Sequence, residues 1–432
     1  MSDKDRLNRW YQGHVRTDDA ISRIPLTRYQ RVELAILVTL LGSIRPIYWF
    51  VRRLMGKPFD VTRGLDALSD IPCHTVDTRV QETHGAGYLT RAQVAAFERD
   101  GVIGPLPFLS PDEAARLRQL MVDRHEADWH GDHVIGNEIV AGLKDAGIWS
   151  IKHGSLWQEH NVDQIRAIAQ RPILGERLAS LLGDDVVAWR TQVFSIEPGA
   201  KGTFWHSATT FVEDGDLPTL TPPADMPPAL ANLNCWIALE DVDNVNSCLR
   251  MVPGTHVDAR LDTMLRRFLA DRIGFVMSYN RQKRRQALIA VRYSGDLFIA
   301  AQLGFDMALE LVPDMYATSL PTDYPMKAGE CLIFSSNTLH CSYKNSSDGE
   351  RLAMGLRTTS ADVGIFQDQP TIPFATGGGH VVDLSTDLIK TGTALHDGDG
   401  PIKTVIDPCG ATPERADTPM ADTERQHRAT HS

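Results

Sequence analysis

No Cys-x-x-Cys pair occurs among the six cysteines, Cys73, Cys235, Cys248, Cys331, Cys341 and Cys409, which are scattered over the whole chain. That spacing supports neither a zinc cluster nor a disulfide framework, so a reducing, cytoplasmic setting is expected. Basic residues are in the minority, 44 against 55 acidic ones, for a net charge of -11. A general nucleic-acid binder needs the opposite balance, and none is expected as a partner. No uninterrupted apolar run approaches the roughly 20 residues of a membrane span. The best stretch, Val32 to Val51, is broken by Glu33, Arg45 and Pro46, and its apolar centre runs only from Ala35 to Leu41. We read it as a helix packed on the main domain rather than one lying on a membrane. The opening MSDKDRLNRW mixes charges with no apolar run behind it, unlike a secretory signal.

With 42% hydrophobic and 23% charged residues, the chain has the composition of a globular protein with a sizeable core. Thr90 and Gln93 form a capping box for a helix that ends at Gly101. Ser110, Pro111 and Glu113 start a second helix, with Ala114, Leu117, Leu120 and Met121 on its apolar face. A third helical stretch is expected from Asp163 to Leu182, followed by a strand from Val186 to Glu197. Further strands are expected at Thr203 to His206, Leu230 to Glu240, Cys248 to Val252, Asp296 to Gln302, Cys331 to Ser335 and Arg351 to Thr359. Helices first and short strands later give an α+β class, with a double-stranded β-helix, or jelly-roll, core and flanking helices. Residues 1–86 are read as an N-terminal helical extension, 87–406 as the jelly-roll domain and 407–432 as a disordered tail. The proline-rich loop from Leu217 to Pro228 is read as a semi-rigid lid.

The most informative gap is a single carboxylate. His206-Ser207-Ala208 carries Ala where His-x-Asp or His-x-Glu would put a carboxylate on the same face of a strand. An imidazole and a carboxylate so spaced, with a distant second His, make the 2-His-1-carboxylate face of non-heme Fe(II) oxygenases. Replacing the carboxylate by a methyl group opens room for a halide ion, which restores both volume and charge. His340, after the apolar run of KAGECLIFSSNTLH, is the expected second ligand. In RLAMGLRTT, Arg351, Ala353, Gly355 and Arg357 alternate to one face, and an arginine inside a barrel requires an anion. A dicarboxylate cosubstrate supplies it in the bidentate geometry arginine favours.

FWHSATTF, NLNCWIALEDVDNVNSCLRMVPGTH and the His340 strand with its arginines resemble the phytanoyl-CoA dioxygenase superfamily, and within it the Fe(II)/2-oxoglutarate-dependent halogenases. The resemblance runs from about Tyr88 to Thr359. It implies that His206 and His340 bind iron, that Ala208 vacates the halide site, and that Arg351 grips the distal carboxylate of 2-oxoglutarate. It further implies that Thr203 and Trp236 assist at that carboxylate and that Arg357, Glu213 and Asn234 lie near the halide. Fe(II), 2-oxoglutarate, O2 and chloride are the implied small partners. The implied reaction replaces a hydrogen on an unactivated aliphatic carbon by chlorine, on a free small molecule or an acyl or aminoacyl group tethered to a carrier protein. Residues 1–85 have no counterpart in the pattern. Asn246-Ser247 replaces its usual Asn-Gly, so a locally different turn is expected there.

Each assignment has a plainer reading. A histidine at a strand end is commonly structural, Arg357 could be a surface charge, and Ala208 could be mere packing in an inactive relative. Cys341 is read as inert filling. The basic run from Arg281 to Arg285 is read as a solvated loop, with a dock for an acidic carrier protein as its functional reading. His130-Gly131-Asp132 and His256-Val257-Asp258 do spell His-x-Asp, and either would restore a hydroxylase. The first is read as a loop and the second as a corner after the Pro253-Gly254 turn. A halogenase, a hydroxylase with water in the vacant site and a non-catalytic barrel are the three surviving classes.

Overall fold

The computed structural model describes residues 25–55, 87–126, 163–183, 185–200, 220–260, 281–289 and 321–365, with short pieces at 76, 78, 202–203, 205–207, 262–263, 276–277, 292, 371–373, 381–383 and 393–397. Helix α1 (Arg28–Leu54) is capped by Thr27, which exchanges side-chain and backbone hydrogen bonds with Gln30. Helix α2 (Arg91–Asp100) is capped in the same way by Thr90 and Gln93 and stops at Gly101, whose φ of 73° suits a residue without a Cβ. Strand β1 (Val102–Pro107) follows directly, and α3 (Pro111–Glu126) starts where Ser110 and Glu113 bond each other's backbone N–H. The single helical stretch expected after Asp163 is two helices, α4 (Asp163–Ala169) and α5 (Pro172–Leu182). Pro172 causes the break, because its ring disfavours a helical residue before it and it has no N–H to continue the ladder.

The strands β2 (Asp185–Ile196), β3 (Leu220–Thr221), β4 (Leu233–Ala238) and β5 (Leu249–Met251) come next. After helix α6 (Arg281–Leu288) follow β6 (Thr322–Tyr324), β7 (Glu330–Ser335), β8 (His340–Ser342), β9 (Arg351–Ser360) and β10 (Gly364–Ile365). The last three are β11 (Thr371–Pro373), β12 (Val381–Asp383) and β13 (Thr393–Asp397). The main sheet runs β1-β7-β4-β9-β2-β13 and the smaller one β6-β5-β8, with every described pairing antiparallel.

Both faces of the main sheet are covered, which explains why β4 is buried along its whole length. Its Leu233, Cys235 and Ile237, with Leu352, Met354 and Leu356 of β9, pack against Phe97, Leu117, Leu174 and Leu178 of the helices. Burial of such a side chain stabilises by about 1.5–3 kcal/mol over leaving it exposed. The alternate residues, Trp236, Ala238 and Ala353, join Leu249 and Met251 of the small sheet in a second core. The two sheets therefore face each other across an interior layer, the jelly-roll arrangement expected from the sequence.

Several local expectations are corrected. In the stretch expected as a strand from Thr203 to His206, the described Thr203 and Trp205 are not strand, and His206 is held to β8 only by its bridge to His340. The described part of the proline-rich loop is anchored instead of lid-like: Leu220 and Thr221 pair with β10, Met226 is buried in the core, and so are Ala229 and Leu230 directly after the loop. The basic run at Arg281 is helix α6, with Arg284 buried, and no solvated loop. At Asn246-Ser247 the turn keeps the geometry a glycine would allow, since Ser247 has a φ of 79° and its hydroxyl bonds the Tyr343 carbonyl. The strand expected at Asp296 to Gln302, the His130-Gly131-Asp132 triplet and residues 407–432 lie outside the described residues.

Candidate functional site

The site is built on one backbone bridge. His206 N–H donates to the His340 carbonyl at 2.9 Å, and His340 N–H donates to the His206 carbonyl at 2.8 Å. Residues paired in this way project side chains from the same face. The two imidazoles accordingly lie with ring centroids 4.2 Å apart. Gly202 permits the approach: at φ 75°, a Cβ there would sit 2.1 Å from the Tyr343 carbonyl oxygen. Thr203 N–H then donates to Ser342 Oγ at 2.9 Å, and the Thr203 carbonyl accepts from Ser342 N–H at 3.0 Å.

His340 is held in the state a metal ligand needs. Its Nδ1 is 2.8 Å from the Thr338 carbonyl oxygen, which can only accept, so Nδ1 carries the proton and Nε2 keeps its lone pair. Burial, then the neighbouring His206 and Arg357, push its pKa well below the ordinary imidazole value, against the opposing pull of the Thr338 carbonyl. The ring is thus neutral at physiological pH. Phe334 closes one side, its ring edge-on to His340 at 5.1 Å.

On the barrel floor, Phe334, Asn234 and Arg357 are cross-strand neighbours on β7, β4 and β9, so their side chains share a face. Asn234 is buried and its amide donates to Ser336 Oγ at 2.9 Å. Arg357 is half-buried, and burial lowers its pKa to about 10, which leaves it charged at neutral pH. Trp236 lies next along β4, with the Arg351 guanidinium 5.3 Å from its ring centroid. Arg351 is 2 % exposed, and its Nε and Nη1 are buried with no hydrogen-bond partner. Burial lowers its pKa to about 10, so it too stays cationic. A buried guanidinium with two idle donors is costly unless an anion completes it, and a carboxylate fits that fork. The residues present therefore suit a neutral-imidazole iron site and a bound dicarboxylate.

His206, His340, Thr203, Trp236, Arg351, Arg357 and Asn234 all fall on this one interior, while Ala208 and Glu213 lie outside the described residues. Among the described residues, no group of three His, Cys, Asp or Glu side chains is arranged to hold an ion. The His256-Val257-Asp258 triplet is engaged elsewhere: His256 Nε2 bonds the Glu98 carbonyl at 3.1 Å, and Asp258 grips Arg260 at 2.7 Å. Cys341 is buried and its thiol pKa is pushed far up, which fits inert filling. Sequence reasoning missed Ser342, the Thr338 carbonyl and the buried Asp262, which accepts from Ser207 Oγ at 2.8 Å. A backbone carbonyl leaves no trace in side-chain patterns, and Asp262 meets Ser207 only through the tertiary fold.

The ectoine dioxygenase of Bordetella bronchiseptica is 26% identical to this chain over 271 residues, covering 62% of this chain and 74% of the relative. That of Nocardia farcinica is 27% identical over 265 residues, covering 60% and 74%. A solved structure of CytC3 with Fe(II) and alpha-ketoglutarate aligns at a TM-score of 0.43 and 20% identity, over 76% of this chain and 97% of the other. EctD from S. alaskensis with bound Fe aligns at 0.44 and 18%, over 67% and 83%. The family model of phytanoyl-CoA dioxygenase (PhyH) matches residues 97–353, a span that takes in both histidines and Arg351. The chain belongs to the phytanoyl-CoA dioxygenase family of Fe(II)/2-oxoglutarate-dependent oxygenases.

Proposed function

We propose that this oxygenase is a halogenase that chlorinates an unactivated aliphatic carbon, on a small molecule that is free or tethered to a carrier protein. One observation carries the reading: position 208, two residues after His206, is Ala, so the carboxylate that would complete a 2-His-1-carboxylate site is not there. His206 and His340 would hold Fe(II), and Arg351 would bind the distal carboxylate of 2-oxoglutarate, with Trp236 against its guanidinium and Thr203 placed by Ser342. When bound, iron, 2-oxoglutarate and O2 together supply an oxidant able to take hydrogen from a C–H bond, and chloride supplies the atom returned. The chain's own part is positioning. Thr338 fixes the His340 ring, Phe334 shields it from water, and the Arg357 charge beside His340 favours an anion on that side of the site. Asn234, tied to Ser336, would orient a donor toward the same region, with Glu213 as a further neighbour.

A hydroxylase with water beside the iron is the second reading, favoured by the ectoine dioxygenases among the relatives. The two separate cleanly without a substrate. The protein, loaded anaerobically with Fe(II) and 2-oxoglutarate, is titrated with chloride while the visible metal-to-ligand charge-transfer band is followed. A chloride-dependent shift supports the halogenase, and its loss in Ala208→Asp with the band itself retained ties the halide to position 208. A band indifferent to chloride points to the hydroxylase. No band at all points to a non-catalytic barrel.

A further inference from the structure

We propose that α1 is a membrane-surface helix whose outer face lies flat on a bilayer bearing anionic headgroups. Along that face Val32, Ile36, Leu40, Ile44, Ile47 and Leu54 are 45 to 73 % exposed. Their spacing of three and four residues puts them on one side of the helix, and the row continues from Tyr29 to Met55. The opposite side is already used: Leu34 and Val38 are buried, and α6 packs there antiparallel to α1. Glu33 meets Arg292 at 2.6 Å at one end of that contact, while Arg284 Nη1 lies 2.9 Å from where a Cβ on Gly42 would stand. Among the described residues nothing covers the outer row. A contiguous exposed apolar row rimmed by charged residues is the kind of surface that marks an interaction site.

Charge identifies the occupant. The helix carries Arg28, Arg31, Arg45, Arg52 and Arg53 against Glu33 alone, and α6 behind it adds Arg281, Lys283, Arg284 and Arg285. In a chain of net charge -11 this is a local reversal of sign. An anionic surface would repel the acidic remainder and attract this side, which orients the approach. Exposed Arg28 and Arg53 sit at the two ends beside Tyr29 and Phe50, where long cationic stems and aromatic rings can settle at headgroup depth. A second copy of the chain fits less well. Leu40, Ile44, Ile47, Val51 and Leu54 keep heptad spacing, but the same register continued toward the N-terminus passes through half-buried Leu37 and through Glu33, which is paired with Arg292, so a coiled-coil seam would leave the exposed Tyr29, Val32 and Ile36 uncovered. The helix is also not a span, since no described helix is long and apolar enough to cross a membrane. It lies on the surface, half in contact with lipid and half with α6.

The test is co-sedimentation of the full-length protein with vesicles of phosphatidylcholine alone or mixed with phosphatidylglycerol, alongside light scattering in solution. The expected result is binding to the mixed vesicles that weakens as salt is raised, with little binding to phosphatidylcholine. Joint Ile36→Glu, Leu40→Glu and Ile47→Glu substitution should weaken binding at least about tenfold, as expected for three apolar side chains lost from contact. Arg28→Gln with Arg53→Gln, which touches only exposed charges, should reduce the preference for phosphatidylglycerol. Absence of binding to either vesicle, equal binding to both at all salt concentrations, or a solution dimer that the triple substitution makes monomeric would each overturn the proposal.

Discussion

Among the described residues, Arg351 has the most buried side-chain nitrogens without a hydrogen-bond partner. Two of its guanidinium nitrogens are buried and idle, so its stabilisation must come from a bound anion. Arg351→Met keeps the length and removes the fork, and should raise the 2-oxoglutarate concentration needed for half-saturation by about 100-fold, as for loss of a partner worth about 3 kcal/mol. The protein itself should not be destabilised by the change, because an idle buried cation contributes little to folding. Calorimetric titration with 2-oxoglutarate and a denaturation curve measure the two effects separately. His256 gives a second expectation. Burial lowers its pKa from an ordinary 6.5 to about 4, against the pull of the Glu98 carbonyl and Asp100. A depressed folded-state pKa means the unfolded chain takes up its proton first. Stability is therefore full above pH 6.5 and falls between pH 6.5 and 4, by up to about 3 kcal/mol at 1.36 kcal/mol per pH unit. His256→Asn should flatten that part of the stability-against-pH profile.

Strands and helices that carry their own signals were legible in the sequence. The Thr90–Gln93 and Ser110–Glu113 boxes mark α2 and α3, and the alternation of Arg351, Ala353, Gly355 and Arg357 gave both β9 and its inward face. The less legible elements are those whose structure is imposed from outside. Strand β1 contains Gly104 and Pro105, which argue locally against a strand, yet it pairs with β7 around an irregularity between Ile103 and Leu106. Strand β8 has only three residues, too few for any periodicity, and is defined by its neighbours. The segment around His206 has no strand geometry of its own beyond its bridge to His340, so the reading that placed it on a strand named the wrong element. What holds the segment is the close passage at Gly202. Gly202→Ala would force a Cβ against the Tyr343 carbonyl and a side chain into positive φ, at a cost of about 1–3 kcal/mol. The expected outcome is at least tenfold weaker Fe(II) binding with unchanged far-ultraviolet circular dichroism.

The chain as a whole is acidic while α1 and α6 are basic, and two cores sit on opposite faces of a single sheet. Ligands that bind only the folded protein stabilise it by mass action. Fe(II) with 2-oxoglutarate, each at about a hundred times its dissociation constant, should contribute about 2.7 kcal/mol per ligand and raise the melting midpoint by several degrees. At the same concentrations Arg351→Met should cut the 2-oxoglutarate increment to about 0.4 kcal/mol and keep that of iron, as differential scanning fluorimetry can read. The bridge between His206 and His340 also orders events in time. Neither histidine has its partner until the segment before β4 has been laid against a strand far later in the chain, a non-local contact whose loop-closure entropy is paid before it is made. Until that contact forms, neither imidazole has the other beside it. With both histidines as the proposed iron ligands, uptake of iron would report that the segment around His206 has been seated on β8.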